Sequence, residues 1–122
     1  LSLNSRVRIR DRQRVARFRL AADRESDQLI QSMIFTNDGS AKNDDLQNLF
    51  VTSSRFEPLT LVAPFMTGDR VQVVFDPPLR IRKSQDRSFY LWADVRGGGR
   101  RTLRWIIEEP SDITAVPVRT RR

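Results

Sequence analysis

Short runs of alternating apolar and polar residues, separated by turn-forming residues, dominate this chain of 122 residues. About eight or nine such runs recur at intervals of roughly 8–12 residues, which is the strand spacing of all-β domains. No stretch keeps a helical period for longer than one turn. The pattern predicts an antiparallel sandwich of two β-sheets, with a β-barrel as the alternative.

The clearest predicted strand covers residues 88–95. Alternation places Phe89, Leu91, Ala93 and Val95 on one face of this strand and Tyr90, Trp92 and Asp94 on the other. Both faces carry aromatic side chains, so we expect the strand to lie at the centre of its sheet.

The stretch from residue 31 to residue 49 predicts a strand, a turn, one helical turn and a second strand. Met33 and Phe35 are two residues apart and so point to the same face. The turn formers of residues 37–40 end that strand. The acidic residues of 43–45 then suit the cap of a single helical turn that directs Leu46 into the core.

Three stretches of the chain resemble a known class of module. They are FTNDGSAKNDDLQNLFV at residues 35–51, FYLWADV at 89–95 and EEPSDITAV at 108–116. Together they resemble the immunoglobulin-like β-sandwich modules that are repeated in bacterial cell-surface and secreted proteins, over roughly residues 15–118. The resemblance implies an immunoglobulin-like sandwich, an extracellular or cell-surface location and a structural or adhesive role. Unlike those modules, this chain carries 20 Arg and 2 Lys.

The composition excludes several classes of chemistry. The chain has no Cys, which excludes thiol catalysis, disulfides and zinc ribbons, and no His, which excludes a Ser-His triad. We therefore predict no enzyme activity and no cofactor or metal. There is no apolar run of about 18 residues, so we expect no membrane span within the chain.

The sequence divides into a basic N-terminal arm or donor-type strand at residues 1–14, a sandwich at 15–118 and a basic tail at 119–122. Within the arm, arginines alternate with other residues, which predicts a strand with one cationic face. We expect the arm to bind a partner through Arg6, Val7, Arg8, Ile9, Arg10, Arg12 and Arg14. A solvated edge, a strand added to another molecule's sheet and a phosphate-binding strand all fit this pattern.

Charge is distributed unevenly along the chain. Residues 1–20 hold seven basic and one acidic residue (net +6), residues 21–60 three and seven (net −4), and residues 61–122 twelve and seven (net +5). This division suits contact between the basic end of one copy and the acidic middle of another, or binding to an anionic polymer such as nucleic acid.

The exposed side of the strand at 88–95 is a further candidate site. Tyr90 and Trp92, with arginines nearby, could form a stacking platform for single-stranded nucleic acid or a carbohydrate. Alternatively, a loop or the second sheet covers these rings.

These features predict a non-catalytic extracellular structural or adhesive subunit. We expect it to associate with neighbouring copies or a surface partner through its cationic N-terminal strand and its sheet edges. The alternative is a nucleic-acid-binding module that uses the arginine-rich face.

Overall fold

The computed structural model describes residues 2–6, 10–22, 24, 26–40, 42–97 and 102–118, and these form nine strands and two short 3₁₀ turns. The strands are β1 Ser2–Arg6, β2 Arg10–Ala21, β3 Asp27–Asn37, β4 Leu46–Ser53, β5 Ala63–Phe65, β6 Arg70–Ile81, β7 Asp86–Val95, β8 Thr102–Ile106 and β9 Ile113–Val118. The 3₁₀ turns cover Asn43–Asp45 and Pro110–Asp112.

The strands form two antiparallel sheets that pack face to face. Sheet A has the order β1-β8-β3-β6, and β9 continues beyond β8 along the same side of β3. Sheet B has the order β2-β7-β4-β5. The predicted all-β sandwich is confirmed, and the described strands do not close into a barrel.

The strand pairs are nested around one hairpin. β4 pairs with β5, β3 with β6, β2 with β7 and β1 with β8. Such nesting describes one long antiparallel ribbon that is folded over itself, which is the jelly-roll arrangement. An immunoglobulin sandwich instead groups its strands as ABED and CFG. The sequence motifs predict individual strands and turns, but they do not predict the order of the strands in the two sheets.

A chain of aromatic contacts crosses the core between the sheets. Phe18 of β2 meets Phe35 of β3 with ring centroids 5.1 Å apart, and Phe89 of β7 at 5.5 Å. Phe35 in turn meets Trp105 of β8 at 6.4 Å. All four side chains are buried. The Phe18–Phe35 and Phe35–Trp105 pairs meet edge to face, which adds to the free energy gained from burying the rings.

The stretch at residues 31–49 folds as predicted. Met33 and Phe35 are buried, and the Asn37 side chain accepts a hydrogen bond from the Gly39 amide at 2.9 Å where β3 ends. The Asp45 carboxylate accepts one from the Lys42 amide at 2.8 Å, which closes the 3₁₀ turn. Leu46 follows and is fully buried.

Two adjacent prolines would be expected to break a strand, but the prolines at residues 77 and 78 do not end β6. β6 runs without interruption from Arg70 to Ile81, and a register shift against β3 accommodates the prolines between Val74 and Leu79. β6 is the outer strand of sheet A, and an edge position tolerates residues that lack an amide hydrogen.

The described part of the predicted N-terminal arm forms strands of its own sandwich. Residues 2–6 pair with β8, and β2 starts at Arg10 and passes residue 14 without a break. The residues Val7, Arg8 and Ile9 and the tail at 119–122 lie outside the described residues, and Arg6, Arg10 and Arg12 are described only by their backbone.

Removal of the Phe18 ring from the centre of the core should destabilise the protein strongly. We expect Phe18→Ala to lower the free energy of unfolding by about 3–5 kcal/mol, because it removes a buried ring and its contacts with Phe35 and Phe89. The exposed Val116→Ala should change it by about 0.5 kcal/mol or less. Urea unfolding measures both values, and equal losses would contradict the assigned core.

The Asp27 carboxylate makes the free energy of unfolding depend on pH in the acidic range. Asp27 accepts hydrogen bonds from the Arg80 guanidinium at 2.7 and 2.9 Å and from the Lys83 amide at 2.8 Å. The Lys83 amide, followed by the Arg80 guanidinium, lowers the pKa of Asp27 from its ordinary 3.8. A lowered native pKa stabilises the fold above the unfolded value, and this contribution disappears as the pH falls through the native pKa.

Replacement of this carboxylate tests the linkage. We expect Asp27→Asn to destabilise the protein above the ordinary pKa of 3.8, with a difference from wild type that shrinks at lower pH. Urea unfolding at a series of pH values measures this difference, and NMR titration measures the pKa directly. A difference that does not change with pH would contradict the linkage.

Candidate functional site

The side of the sandwich that holds the first two strands is here called the N-terminal edge. β1 ends sheet A on this side and β2 ends sheet B, and within the described residues each pairs with only one neighbour. Among the described residues, β1 pairs only with β8 and does not extend alongside β9. β9 lies beyond β8 on the same side of β3, so its one neighbouring strand is β3. The backbone of three strands is therefore available here for further pairing.

The opposite side of the sandwich is closed by the chain itself. The Leu59 amide donates to the Val51 carbonyl of β4 at 2.9 Å, and the Leu61 amide donates to the Val74 carbonyl of β6 at 2.9 Å. Val51 also donates its amide to the Thr60 hydroxyl at 2.9 Å. The segment at residues 58–61 thus connects the two sheets and covers this side.

An apolar groove lies between β9 and the second half of β2, where β1 does not reach. Two adjoining openings, of about 340 and 320 Å³, share Leu20 and Ile113. Core side chains such as Ile30 and Ile81 reach the first opening, and the exposed Glu108 and Glu109 lie at the second. Among the described residues, sheet A has no strand beyond β9 at this corner of the sandwich, opposite the end of β2.

Three of the five acidic groups that the structure describes between residues 21 and 60 are engaged within the molecule. Asp27 binds Arg80, and Asp38 lies 3.4 Å from the Arg104 guanidinium. Asp45 is buried as the cap of its 3₁₀ turn. These three acidic groups are therefore less available to the basic end of a neighbouring copy than the sequence alone indicates.

A β-bulge brings the arginines of β2 onto one face. An even-numbered and an odd-numbered residue of a regular strand point to opposite sides. The register against β7 shifts between Arg14 and Ala16, and Val15 and Ala16 are both buried. Arg14, Arg17 and Arg19 are consequently all exposed on the outer face of sheet B.

Aromatic residues lie beside these arginines on the same outer face. Tyr90 and Trp92 are half-buried on β7, and the Arg14 guanidinium lies over the Tyr90 ring, 4.7 Å from its centroid. Phe56 stacks on Tyr90 at 5.7 Å and meets Trp92 edge to face at 5.8 Å. The predicted central position of β7, between β2 and β4, is confirmed.

Phe56 is a site residue that the alternating pattern of the sequence does not indicate. In the structure it lies in a loop with φ of 68°, a left-handed conformation that is rare for an aromatic residue. Ser53 holds this loop: its hydroxyl accepts from the Arg55 and Glu57 amides, each at 3.2 Å, and its carbonyl accepts from the Phe56 amide at 2.9 Å. Strained residues held in this way are concentrated at functional sites.

The Phe56 ring is 58% exposed and forms the outermost layer of the aromatic cluster. Beneath it, the Trp92 ring nitrogen donates to the Thr52 hydroxyl at 2.9 Å, which fixes the orientation of the indole. The predicted platform of Tyr90 and Trp92 is therefore present but covered in part by a loop residue, and Phe56 is the ring that faces solvent.

The described residues show no group of three or more acidic, His or Cys side chains that could hold a metal ion. The same residues contain no helix with the length and hydrophobicity that crossing a membrane requires.

Comparisons with known proteins assign no family. The chain matches no protein-family model, no curated protein and no solved structure. The groove and the aromatic face are therefore interpreted from the residues of this chain alone.

The hydrogen bond under the aromatic cluster can be tested separately. We expect Thr52→Val to lower the free energy of unfolding by about 1–3 kcal/mol, because it leaves the half-buried Trp92 ring nitrogen without its acceptor. Thr114→Val, at an exposed position of β9, is the matched control and should have little effect. Urea unfolding measures both, and equal values would contradict the role of Thr52.

Proposed function

We propose that this chain is a non-catalytic structural or adhesive subunit that associates with neighbouring copies, or with a surface partner, through its N-terminal edge. The observation that carries the proposal is the β9 backbone, which among the described residues pairs with β3 on one side only and lies beside an apolar groove. An extended segment that adds to β9 completes a ladder of hydrogen bonds and inserts alternate side chains into the groove.

The asymmetry of the two edges supports this location. Segment 58–61 covers the far edge, whereas β9 carries no charged side chain along its six residues. Proteins usually protect open edge strands with charges, prolines or bulges. β2 follows this rule with its arginines, and β9 has only Pro117 near its end.

The N-terminal strand supplies a suitable donor. From Ser5 to Arg10 its sequence alternates arginines with Val7 and Ile9. Such a strand presents the two apolar residues to a groove and directs its arginines outward, towards acidic groups such as Glu108 and Glu109. The bacterial cell-surface or secreted location, and membership among immunoglobulin-like modules, rest on the sequence resemblance alone. The nested strand order supports a two-sheet sandwich but differs from the immunoglobulin grouping of strands.

A charge placed on the β9 edge should block association. We expect Val116→Lys to weaken self-association at least about tenfold, or about 1.4 kcal/mol, because an edge lysine opposes strand addition. Val74→Lys is the control, since Val74 is exposed to the same degree, 41% against 40%, and lies on β6 at the covered edge. Light scattering over a concentration series measures both, and equal effects would contradict the proposed edge.

Removal of the N-terminal strand tests the donor. Deletion of residues 1–9 leaves β2 intact, and we expect it to yield a monomer in light scattering. A larger particle would show that β1 only covers β8 of its own chain, and would contradict a role for this strand in a neighbouring copy. Far-UV circular dichroism checks that the shortened chain remains folded.

A further inference from the structure

We infer that the outer face of sheet B binds single-stranded nucleic acid, with Phe56 as the stacking ring and Arg14 and Arg17 of β2 as the phosphate contacts. This surface is distinct from the β9 groove, so the inference does not depend on the proposed association. It combines the two features that sequence-tolerant binding of single strands requires, namely an exposed aromatic ring and a cationic track beside it.

The aromatic part of the site is held in place before any ligand binds. Phe56 is fixed by the Ser53 hydrogen bonds and rests on Tyr90 and Trp92, so its ring does not have to be ordered on binding. Its outer side faces solvent, where a base can stack. Preorganisation of this kind reduces the entropy lost in the complex.

The cationic part of the site depends on the bulge in β2. Arg14 reaches over Tyr90, and Arg17 pairs in register with Tyr90 and is exposed, with no ion-pair partner among the described residues. Arg19 is less available, because it forms an ion pair with Asp86 at 2.6 Å. Arginine suits the site, since its planar group both stacks on rings and makes paired hydrogen bonds to phosphate.

The acidic groups near this face are few. Asp94 accepts a hydrogen bond from the Asn48 amide group at 2.9 Å and lies 3.4 Å from Arg96. Asp86 pairs with Arg19, and Glu57 and Arg55, the exposed sequence neighbours of Phe56, carry opposite charges. With Arg14 and Arg17 the face therefore keeps a positive excess, which favours a polyanion over an uncharged glycan, and the exposed Phe56 ring favours a polyanion that carries bases.

Binding can be measured by fluorescence anisotropy with labelled oligo(dT) and oligo(rU), each about 16 nucleotides long, the upper end of typical site sizes. We expect Phe56→Ala to weaken binding about fivefold or more without changing its salt dependence, since it removes stacking and no charge. We expect Arg17→Ala to weaken binding and to reduce the slope of log K against log[salt] by about 0.7, the value for one phosphate contact on a single strand.

Matched substitutions elsewhere control for loss of an aromatic ring or a charge. Phe65→Ala removes a ring that is 66% exposed on β5, at the edge of sheet B farthest from β2, and Arg82→Ala removes an exposed arginine beyond the end of β6. Both should leave binding close to that of the wild type. Circular dichroism confirms that each variant is folded.

Inorganic polyphosphate, which has charge but no bases, separates stacking from simple electrostatics. As a competitor it should lose affinity with Arg17→Ala and keep it with Phe56→Ala. The inference is overturned if Phe56→Ala binds oligonucleotides as well as the wild type does, if Phe65→Ala weakens binding equally, or if neither oligonucleotide binds at low salt. None of these results would bear on association through β9, which Val116→Lys reports separately.

Discussion

The contact between Phe18 and Phe35 is the interaction on which the rest of the structure depends. It joins the edge strand of sheet B to the central strand of sheet A, and the contacts of Phe89 and Trp105 extend it into both sheets. β2 can carry its arginines outward only because Phe18 anchors the same strand in the core. The cationic face and the aromatic core are thus two sides of one strand.

Periodicity predicted the strands well because burial imposes it directly. The alternation in β7, the inward Met33 and Phe35, and the buried Leu46 all follow from the two-residue repeat of a strand packed on a core. The order of the strands did not follow, because pairing between β1 and β8 depends on contacts across almost the whole chain. The two adjacent prolines would ordinarily indicate the end of a strand, and their tolerance within β6 depends on an edge position that no local pattern reveals.

The candidate site was predicted only in part, for a related reason. Tyr90 and Trp92 were identified because they share the outer face of one strand. Phe56 reaches them through a loop whose left-handed residue has no sequence signature. The bulge in β2, which places Arg14 and Arg17 on one face, is likewise invisible to a count of alternating residues. Both features depend on the partner strand and the loop that shape them.

The nested pairing of the ribbon has a consequence for synthesis of the protein. Ser2 pairs with Ile106, so β1 has no native partner until the ribosome has made β8. During that interval the apolar residues of β2, such as Val15 and Phe18, also wait for their partner strand β7. We expect the arginines between Arg6 and Arg19 to keep this segment soluble through mutual repulsion. Arg14, Arg17 and Arg19, which are exposed on the folded surface, would then also protect the unfinished polypeptide.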